Sequence, residues 1–168
     1  MSVEKAVDIL KGAILLERRG KAFYESVVRN TSNESVKTIF KTMAGEEEKH
    51  IHILEQHFSN LKKNGKFKSL TLEGSPSDVI AEEVLNSDIK QNISASSYEA
   101  AAISAAMSME EKAVNYYSAR GKETSDALEK ELYNWLSTWE KTHLQLLADI
   151  DDELKENIWF DNNFWPVD

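Results

Sequence analysis

Two short runs of the sequence place a glutamate and a histidine three residues apart. Glu47 precedes His50 by three positions, and Glu140 precedes His143 in the same way. On a helix, residues with this spacing lie on one face about one turn apart. Carboxylates and imidazoles are suitable ligands for Fe(II) or Mn(II). Each run is therefore a candidate half of a metal site.

A further glutamate lies upstream of each pair at the same distance. Glu17 precedes Glu47 by thirty residues, Glu110 precedes Glu140 by thirty, and the second set follows the first by ninety-three positions throughout. A single Glu-x-x-His is a weak signal, but two sets at one offset indicate a shared role. The alternative is a polar bundle core that binds no metal. The six predicted metal ligands are Glu17, Glu47, His50, Glu110, Glu140 and His143.

The composition of the chain narrows the classes of site and partner. Its 168 residues carry a formal net charge of -9 with a pI near 5.0, which argues against nucleic acid and anionic membrane surfaces as partners. The start of the sequence does not resemble a secretory signal, and no apolar run is long enough for a membrane span, so we expect a cytoplasmic protein. Because cysteine is absent, disulfides, cysteine-ligated iron–sulfur clusters and cysteine-ligated zinc modules are excluded.

Apolar side chains recur at alternating steps of three and four residues in four segments, which is the pattern of helices with one buried face. The predicted ligands lie on these apolar stripes. Asn33 is placed to cap the second helix and Gly65 to end it, while Ser96 and Glu99 have the spacing of a capping box before the third. The predicted helices run over residues 3–30, from the turn at 31–33 to 63–65, from 96–99 to 121, and from 125–126 to about 154.

The segments outside these helices carry weaker patterns. Residues 65–95 contain a breaker at 74–76 and a possible short helix at 78–85. A connection of this length is suited to crossing back over a helix that is about 45 Å long. We expect the aromatic tail to cover the bundle or to form a contact in a homodimer; it contains Trp159, Phe160, Phe164, Trp165 and Pro166.

The ninety-three-residue offset extends beyond the ligands. Residues 10–54 aligned with 103–147 share nine identities in forty-five, which include the predicted ligands, the pair Tyr24 and Tyr117, and the two Thr-Ser turns. This indicates a duplicated helical hairpin. The sequence therefore predicts an all-α fold with a single domain over residues 1–168, a four-helix bundle made of two hairpins joined by a long crossover.

Charge explains why a metal pair is expected. Four carboxylates buried at one level of an apolar bundle repel one another and lose hydration, at a cost of several kcal/mol each. Two divalent cations would balance the four negative charges, and this ligand set is the pattern of carboxylate di-iron and di-manganese bundles. The spacing alone does not choose between iron and manganese.

Other polar residues near the pattern have simpler interpretations. For Tyr24 and Tyr117, core packing and a hydrogen bond to a ligand carboxylate are both open. His57 continues the ligand stripe, but its counterpart is Ile150, which favours a core histidine with a partner, or one that reaches solvent, over a third metal site. The remaining polar neighbours are expected at the surface: Glu46, Glu48, His52 and Glu111.

The residues around the ligands resemble a known family. Glu17 begins the run ERRGKAFY, Glu110 begins the run EEKAVNYY, and each run is followed by its Glu-x-x-His. Over about residues 3–155 the chain resembles the rubrerythrin branch of the ferritin-like superfamily. The resemblance implies a ferritin-like bundle holding two iron ions, in which Glu47 and Glu140 bridge the metals. Each metal would also be bound by one further pair, Glu17 with His50 and Glu110 with His143.

The chain differs from full rubrerythrins in two respects. It has no cysteine-ligated rubredoxin module, and Ala113 stands where they carry an additional glutamate. The resemblance implies an oxidoreductase that acts on hydrogen peroxide or O2 with electrons from an external donor protein. One alternative is a ferroxidase that handles iron. Another is a non-catalytic bundle in which the metals only stabilise an interaction module.

Overall fold

A computed structural model describes residues 3–69, 93 and 97–161. Within these residues it has no strand, and none of the helices there has an apolar stretch able to cross a membrane. Helix α1 packs against α2, α3 packs against α4, and α1 also contacts α3. The all-α four-helix bundle of two hairpins is confirmed. Its helices are α1 Val3–Asn30, α2 Glu34–Asn64, α3 Tyr98–Glu123 and α4 Ala127–Asp161.

Short polar turns join the helices of each hairpin. The side chain of Asn33 accepts a hydrogen bond from the Val36 amide at 3.0 Å, which caps α2 as expected. Asp126 caps α4 in a similar way, since its carboxylate accepts from the amide of Glu129 at 2.9 Å. Helix α2 ends at Gly65, whose φ of 69° is a left-handed conformation that favours glycine.

The start of α3 differs from the expected capping box. Ser97, not Ser96, caps the helix and accepts from the amide of Ala100 at 3.2 Å. The carboxylate of Glu99 accepts a hydrogen bond from the Thr31 hydroxyl at 2.6 Å. This bond ties the turn of the first hairpin to the start of the second.

Two helices run further than the sequence predicted. Helix α3 continues past Gly121 to Glu123, because Gly121 is buried where α3 and α4 meet. A Cβ atom there would lie 2.6 Å from Oδ1 of Asn134, so the glycine permits close approach and does not end the helix. Helix α4 includes Trp159 and Phe160, which were expected in the aromatic tail after the helix. The other tail aromatics and the predicted short helix at 78–85 lie outside the described residues.

Two apolar clusters fill the bundle, one on each side of the predicted ligands. One cluster combines the C-terminal part of α1 and α4 with the N-terminal part of α2 and α3, and the other combines the opposite halves. Phe67, just after α2, belongs to the second cluster, whereas Ile93, shortly before α3, belongs to the first. The connection between α2 and α3 therefore joins opposite ends of the bundle, as a long crossover requires.

Alanine substitution of two glycines, one within α2 and one at its C-terminal cap, should change the stability of the chain in opposite directions. Gly65→Ala should destabilise the chain by about 1 kcal/mol, because Ala is strained at positive φ. Gly45→Ala should stabilise it by about 0.5–1 kcal/mol, because Gly45 is exposed within the helix and a Cβ there meets nothing within 4 Å. Urea denaturation of both variants measures the two shifts. A Gly65→Ala variant as stable as the wild-type chain would contradict the left-handed cap.

Candidate metal centre

The four helices bring the six predicted ligands together at one level of the bundle. Each of these side chains is at most 3% exposed. They lie between the two apolar clusters, so water cannot solvate their charges. Helices α1 and α3 supply one glutamate each, and α2 and α4 supply one Glu-x-x-His each. The six residues are Glu17, Glu47, His50, Glu110, Glu140 and His143.

One group of four side chains surrounds His50. Ligand atoms of Glu17, Glu47, His50 and Glu140 all lie within 4.8 Å of one another. Nδ1 of His50 lies 3.2 Å from Glu17, 3.5 Å from Glu47 and 3.0 Å from Glu140. This nitrogen and three carboxylates therefore point at one small volume.

A second group surrounds His143 in the same way. Ligand atoms of Glu47, Glu110, Glu140 and His143 also lie within 4.8 Å of one another. Nδ1 of His143 lies 3.4 Å from Glu110, 3.5 Å from Glu47 and 3.2 Å from Glu140. Glu47 and Glu140 belong to both groups, which places them between two candidate metal positions.

The two tyrosines of the duplicated pattern bind the glutamates of the opposite hairpin. The hydroxyl of Tyr24 donates to Glu110, and the hydroxyl of Tyr117 donates to Glu17. Of the two interpretations left open by the sequence, the structure has the hydrogen bond to a ligand carboxylate. Burial raises the pKa of each tyrosine well above its ordinary value, and the nearby carboxylates raise it further. Each hydroxyl therefore keeps its proton and holds one carboxylate in place.

Without a cation, bound protons balance part of the negative charge of the four glutamates. Burial, followed by repulsion from Glu140, raises the pKa of Glu110 to about 8. Burial and the charges of Glu47 and Glu140 raise the pKa of Glu17 well above its ordinary value. Burial opposes charge on His50, but attraction to the surrounding carboxylates is stronger and raises its pKa well above the ordinary value, and the same holds for His143.

The two central carboxylates remain ionised. Burial alone would raise the pKa of Glu47, but the neighbouring Glu17, His143 and His50 side chains lower it below its ordinary value. Burial and repulsion from Glu47 oppose ionisation of Glu140, yet the two histidines lower its pKa as well. Two imidazolium groups thus face two carboxylates, while Glu17 and Glu110 are neutral. In this state the six ligand side chains together carry no net charge.

Several buried ligand atoms lack hydrogen-bond partners and so fit a cation. Both carboxylate oxygens of Glu140 and Nδ1 of His143 are buried without a hydrogen bond among the described residues. Leaving such atoms unpaired costs about 1–3 kcal/mol each. A divalent cation in each group would use these lone pairs. The nitrogen and oxygen donors match the preferences of Fe(II) and Mn(II), so the residues fit a pair of such ions.

A cavity of about 30 Å³ opens beside the glutamates on the α1 and α3 side. Neither ligand histidine contributes to its lining. Its walls include two pairs related by the ninety-three-residue offset, which are Leu16 with Met109 and Gly20 with Ala113. Ala113 stands where full rubrerythrins carry an additional glutamate, so that space is open here. The cavity has room for one small molecule next to the candidate metal positions.

Glu46 is buried, contrary to the expectation that it is a solvated charge beside the site. It is 4% exposed, and its Oε2 atom lies 2.5 Å from Nε2 of His143. The indole N–H of Trp139 donates to the same oxygen at 3.1 Å. Glu46 therefore contacts the site from the opposite hairpin. Its burial depends on Trp139, its counterpart at the ninety-three-residue offset.

His57 also differs from both of its favoured interpretations. The ring is buried, and neither ring nitrogen has a hydrogen-bond partner among the described residues. It contacts the ring of Phe67 at a centroid distance of 5.6 Å. Burial, with the nearby charge of Lys68, lowers the pKa of His57 to about 4, so the ring is neutral. His57 belongs to neither ligand group.

The other polar neighbours lie where the sequence predicted. His52, Glu48 and Glu111 are exposed. Glu48 lies 3.3 Å from Nζ of Lys21 in a surface ion pair, which contributes little to stability. These three side chains are outside the site.

Comparison with known proteins agrees with the geometry. A family model described as Rubrerythrin matches residues 8–151, which include all six converging side chains. No curated protein and no solved structure matches the chain significantly. The family is a di-iron family with the ferritin-like four-helix bundle, and the buried glutamate and histidine groups of this chain could hold metal. The chain belongs to the rubrerythrin family.

Proposed function

We propose that the chain is a di-iron oxidoreductase that reduces hydrogen peroxide or O2 with electrons from an external donor protein. The observation that carries the proposal is the pair of ligand groups that share Glu47 and Glu140. In this assignment Glu47 and Glu140 would be shared by the two ions, and one further glutamate and one histidine would hold each ion. Manganese would fit the same donors.

The reaction follows from what the ions and the protein each supply. Two ferrous ions, when bound, supply the two electrons that convert hydrogen peroxide with two protons into two water molecules. Tyr24 and Tyr117 hold the terminal carboxylates in place through their hydroxyl groups. The cavity beside Gly20 and Ala113 admits a small oxidant to the glutamate side of the site. The apolar clusters exclude bulk water from both ends.

An external donor follows from the composition. The chain has no cysteine, so it holds no cysteine-ligated iron that could return electrons to the site. After one reaction the oxidised site would wait for a partner protein. The same proposal includes a homodimer and a location in the cytoplasm.

The two alternative functions, the ferroxidase and the non-catalytic interaction module, differ from this proposal in how much iron they oxidise. A ferroxidase would continue to oxidise added Fe(II) and would retain the ferric product. A metal-stabilised interaction module would bind metal without reacting at all. The neutral site and the cavity on the glutamate side favour a small-molecule reaction over the module.

Removal of the metal should make stability depend on pH. Between the ordinary carboxyl pKa of 4.5 and about 8, Glu110 binds more protons in the folded metal-free chain than in the unfolded one. Its stabilising contribution is therefore lost as pH rises through that window, and Glu17 acts in the same direction. Since one pKa unit corresponds to about 1.4 kcal/mol, Tm of the metal-free chain should fall by several degrees from about pH 5 to about pH 8.

The metal-loaded chain is the control for this loss of stability with rising pH. Cations replace the protons, so Tm of the loaded chain should not fall over the same range, and it should exceed that of the metal-free chain near neutral pH. Differential scanning calorimetry of both forms measures this. Equal Tm values for the two forms at pH 7 would argue that the site no longer binds metal.

Metal loading should also release protons. In the metal-free site, the pKa values of Glu17, Glu110, His50 and His143 are all raised, so these ligands hold protons that a bound metal would replace. Binding of two divalent ions requires these ligands to lose them. Calorimetric titration in two buffers of different ionisation enthalpy gives the number released. Loading without proton release would show that the metal binds elsewhere.

Turnover should require the bridging glutamates and an electron donor. The ferrous chain should react once with peroxide and then stop until a chemical reductant or donor protein is added. Glu47→Ala and Glu140→Ala should each abolish the reaction, because either change removes a bridge and leaves the charges unbalanced. Stopped-flow absorbance after separate additions of peroxide and O2 measures the rates. The matched control is Glu48→Ala, on the exposed face one residue from Glu47, which should react as the wild-type chain does.

Two results would replace the proposal. Oxidation of added Fe(II) far beyond two equivalents, with retention of the product, would establish the ferroxidase. Peroxide reactivity that survives Glu47→Ala would place the chemistry outside this site.

A further inference from the structure

The duplicated pattern is broken at one position next to the site. Every predicted ligand has an identical residue ninety-three positions away, but Glu46 is paired with Trp139. The two residues meet across the bundle, since Nε1 of Trp139 donates to Oε2 of Glu46 at 3.1 Å. The ligand groups are therefore alike in their glutamates and unlike in what surrounds their histidines.

On one side, a carboxylate contacts the far nitrogen of the ligand histidine. Nδ1 of His143 faces the glutamates of its group, while Nε2 lies 2.5 Å from Oε2 of Glu46. Because Glu46 is 4% exposed, water hardly competes for this contact. Hydrogen bonds of this kind between charged partners are about twice as strong as neutral ones.

On the other side, the far nitrogen of the ligand histidine has no such partner. Nδ1 of His50 faces its glutamates, but Nε2 is buried without a hydrogen bond among the described residues. The ring lies edge to face against Trp139 and Trp135, with centroid distances of 5.4 Å and 5.5 Å. On its Nε2 side, packing and not a hydrogen bond holds this ring in place.

We propose that Glu46 is a positioning residue that makes the two metal positions unequal, with the ion at His143 bound more tightly than the ion at His50. Glu46 accepts the Nε2 proton of His143, which directs the lone pair of Nδ1 toward the metal and makes that nitrogen a stronger donor. It also adds a fifth carboxylate on that side only. The ion at His50 has neither contribution. This inference rests on the proposed di-metal function and concerns the order in which the two positions fill.

The test is a calorimetric titration of the metal-free full chain with Co(II), which is stable in air and prefers similar ligands. The wild-type chain should show two binding steps of different affinity. In Glu46→Gln the tighter step should weaken by about tenfold to a hundredfold, as expected for loss of a carboxylate behind a ligand histidine, while the weaker step stays unchanged. Trp139→Phe, which removes the indole N–H that binds Glu46 together with part of the ring that packs on His50, should weaken the tighter step less than Glu46→Gln does. The matched control Glu48→Gln should leave both steps unchanged.

A second measurement does not depend on the folding of any variant. NMR of the Zn(II)-loaded wild-type chain with labelled histidines should show one ligand Nε2–H that is shifted downfield and protected from exchange, and a second that is not. Two equivalent signals would overturn the inference, as would equal weakening of both binding steps in Glu46→Gln or no change in either step. If the wild-type chain binds no metal, both this inference and the proposed function fail. If the wild-type chain binds two ions and Glu46→Gln changes neither affinity, this inference alone is refuted.

Discussion

The burial of four carboxylates at one level of an apolar bundle is the constraint on which the rest of the structure depends. Ionised and unpaired, each would cost several kcal/mol. Without metal, the site avoids this cost because both histidines are positively charged and Glu17 and Glu110 keep their protons. Two divalent cations would balance the same carboxylates directly. The site is therefore close to neutral in either state, which allows the bundle to fold before it is loaded.

The long connection between α2 and α3 sets how the two duplicated hairpins are oriented at the site. It joins the cluster that contains Phe67 to the cluster that contains Ile93, so α3 begins at the same end of the bundle as α2. Helices α1 and α3 consequently run in opposite directions, and each tyrosine hydroxyl reaches the glutamate of the other hairpin. A short connection would have reversed α3. The two-fold axis that relates the ligand sets would then run along the bundle and not across it.

The features that could be predicted from sequence are those set by local rules. Helical spacing identified the buried stripes, the offset identified the six converging side chains, and Asn33 and Gly65 marked the ends of α2. The errors have causes that lie elsewhere in the chain. Glu46 is adjacent to the stripe of its own helix and is buried by Trp139 from another helix. His57 is covered by Phe67, and Glu99 binds the Thr31 hydroxyl of the other hairpin.

The two halves are alike on the cavity side of the site and differ on its histidine side. On the cavity side, the offset pairs are chemically alike, since Gly20 and Ala113 are both small and Leu16 and Met109 are both apolar. A small molecule entering there would meet similar surroundings at both ligand groups. On the histidine side, Glu46 is paired with Trp139, and only one imidazole has a carboxylate behind it. Duplication thus fixes the geometry of the six ligands. On the proposed function, the oxidant enters on the cavity side, where the two halves are alike. The affinities of the two metal positions differ because of the histidine side, where Glu46 is paired with Trp139.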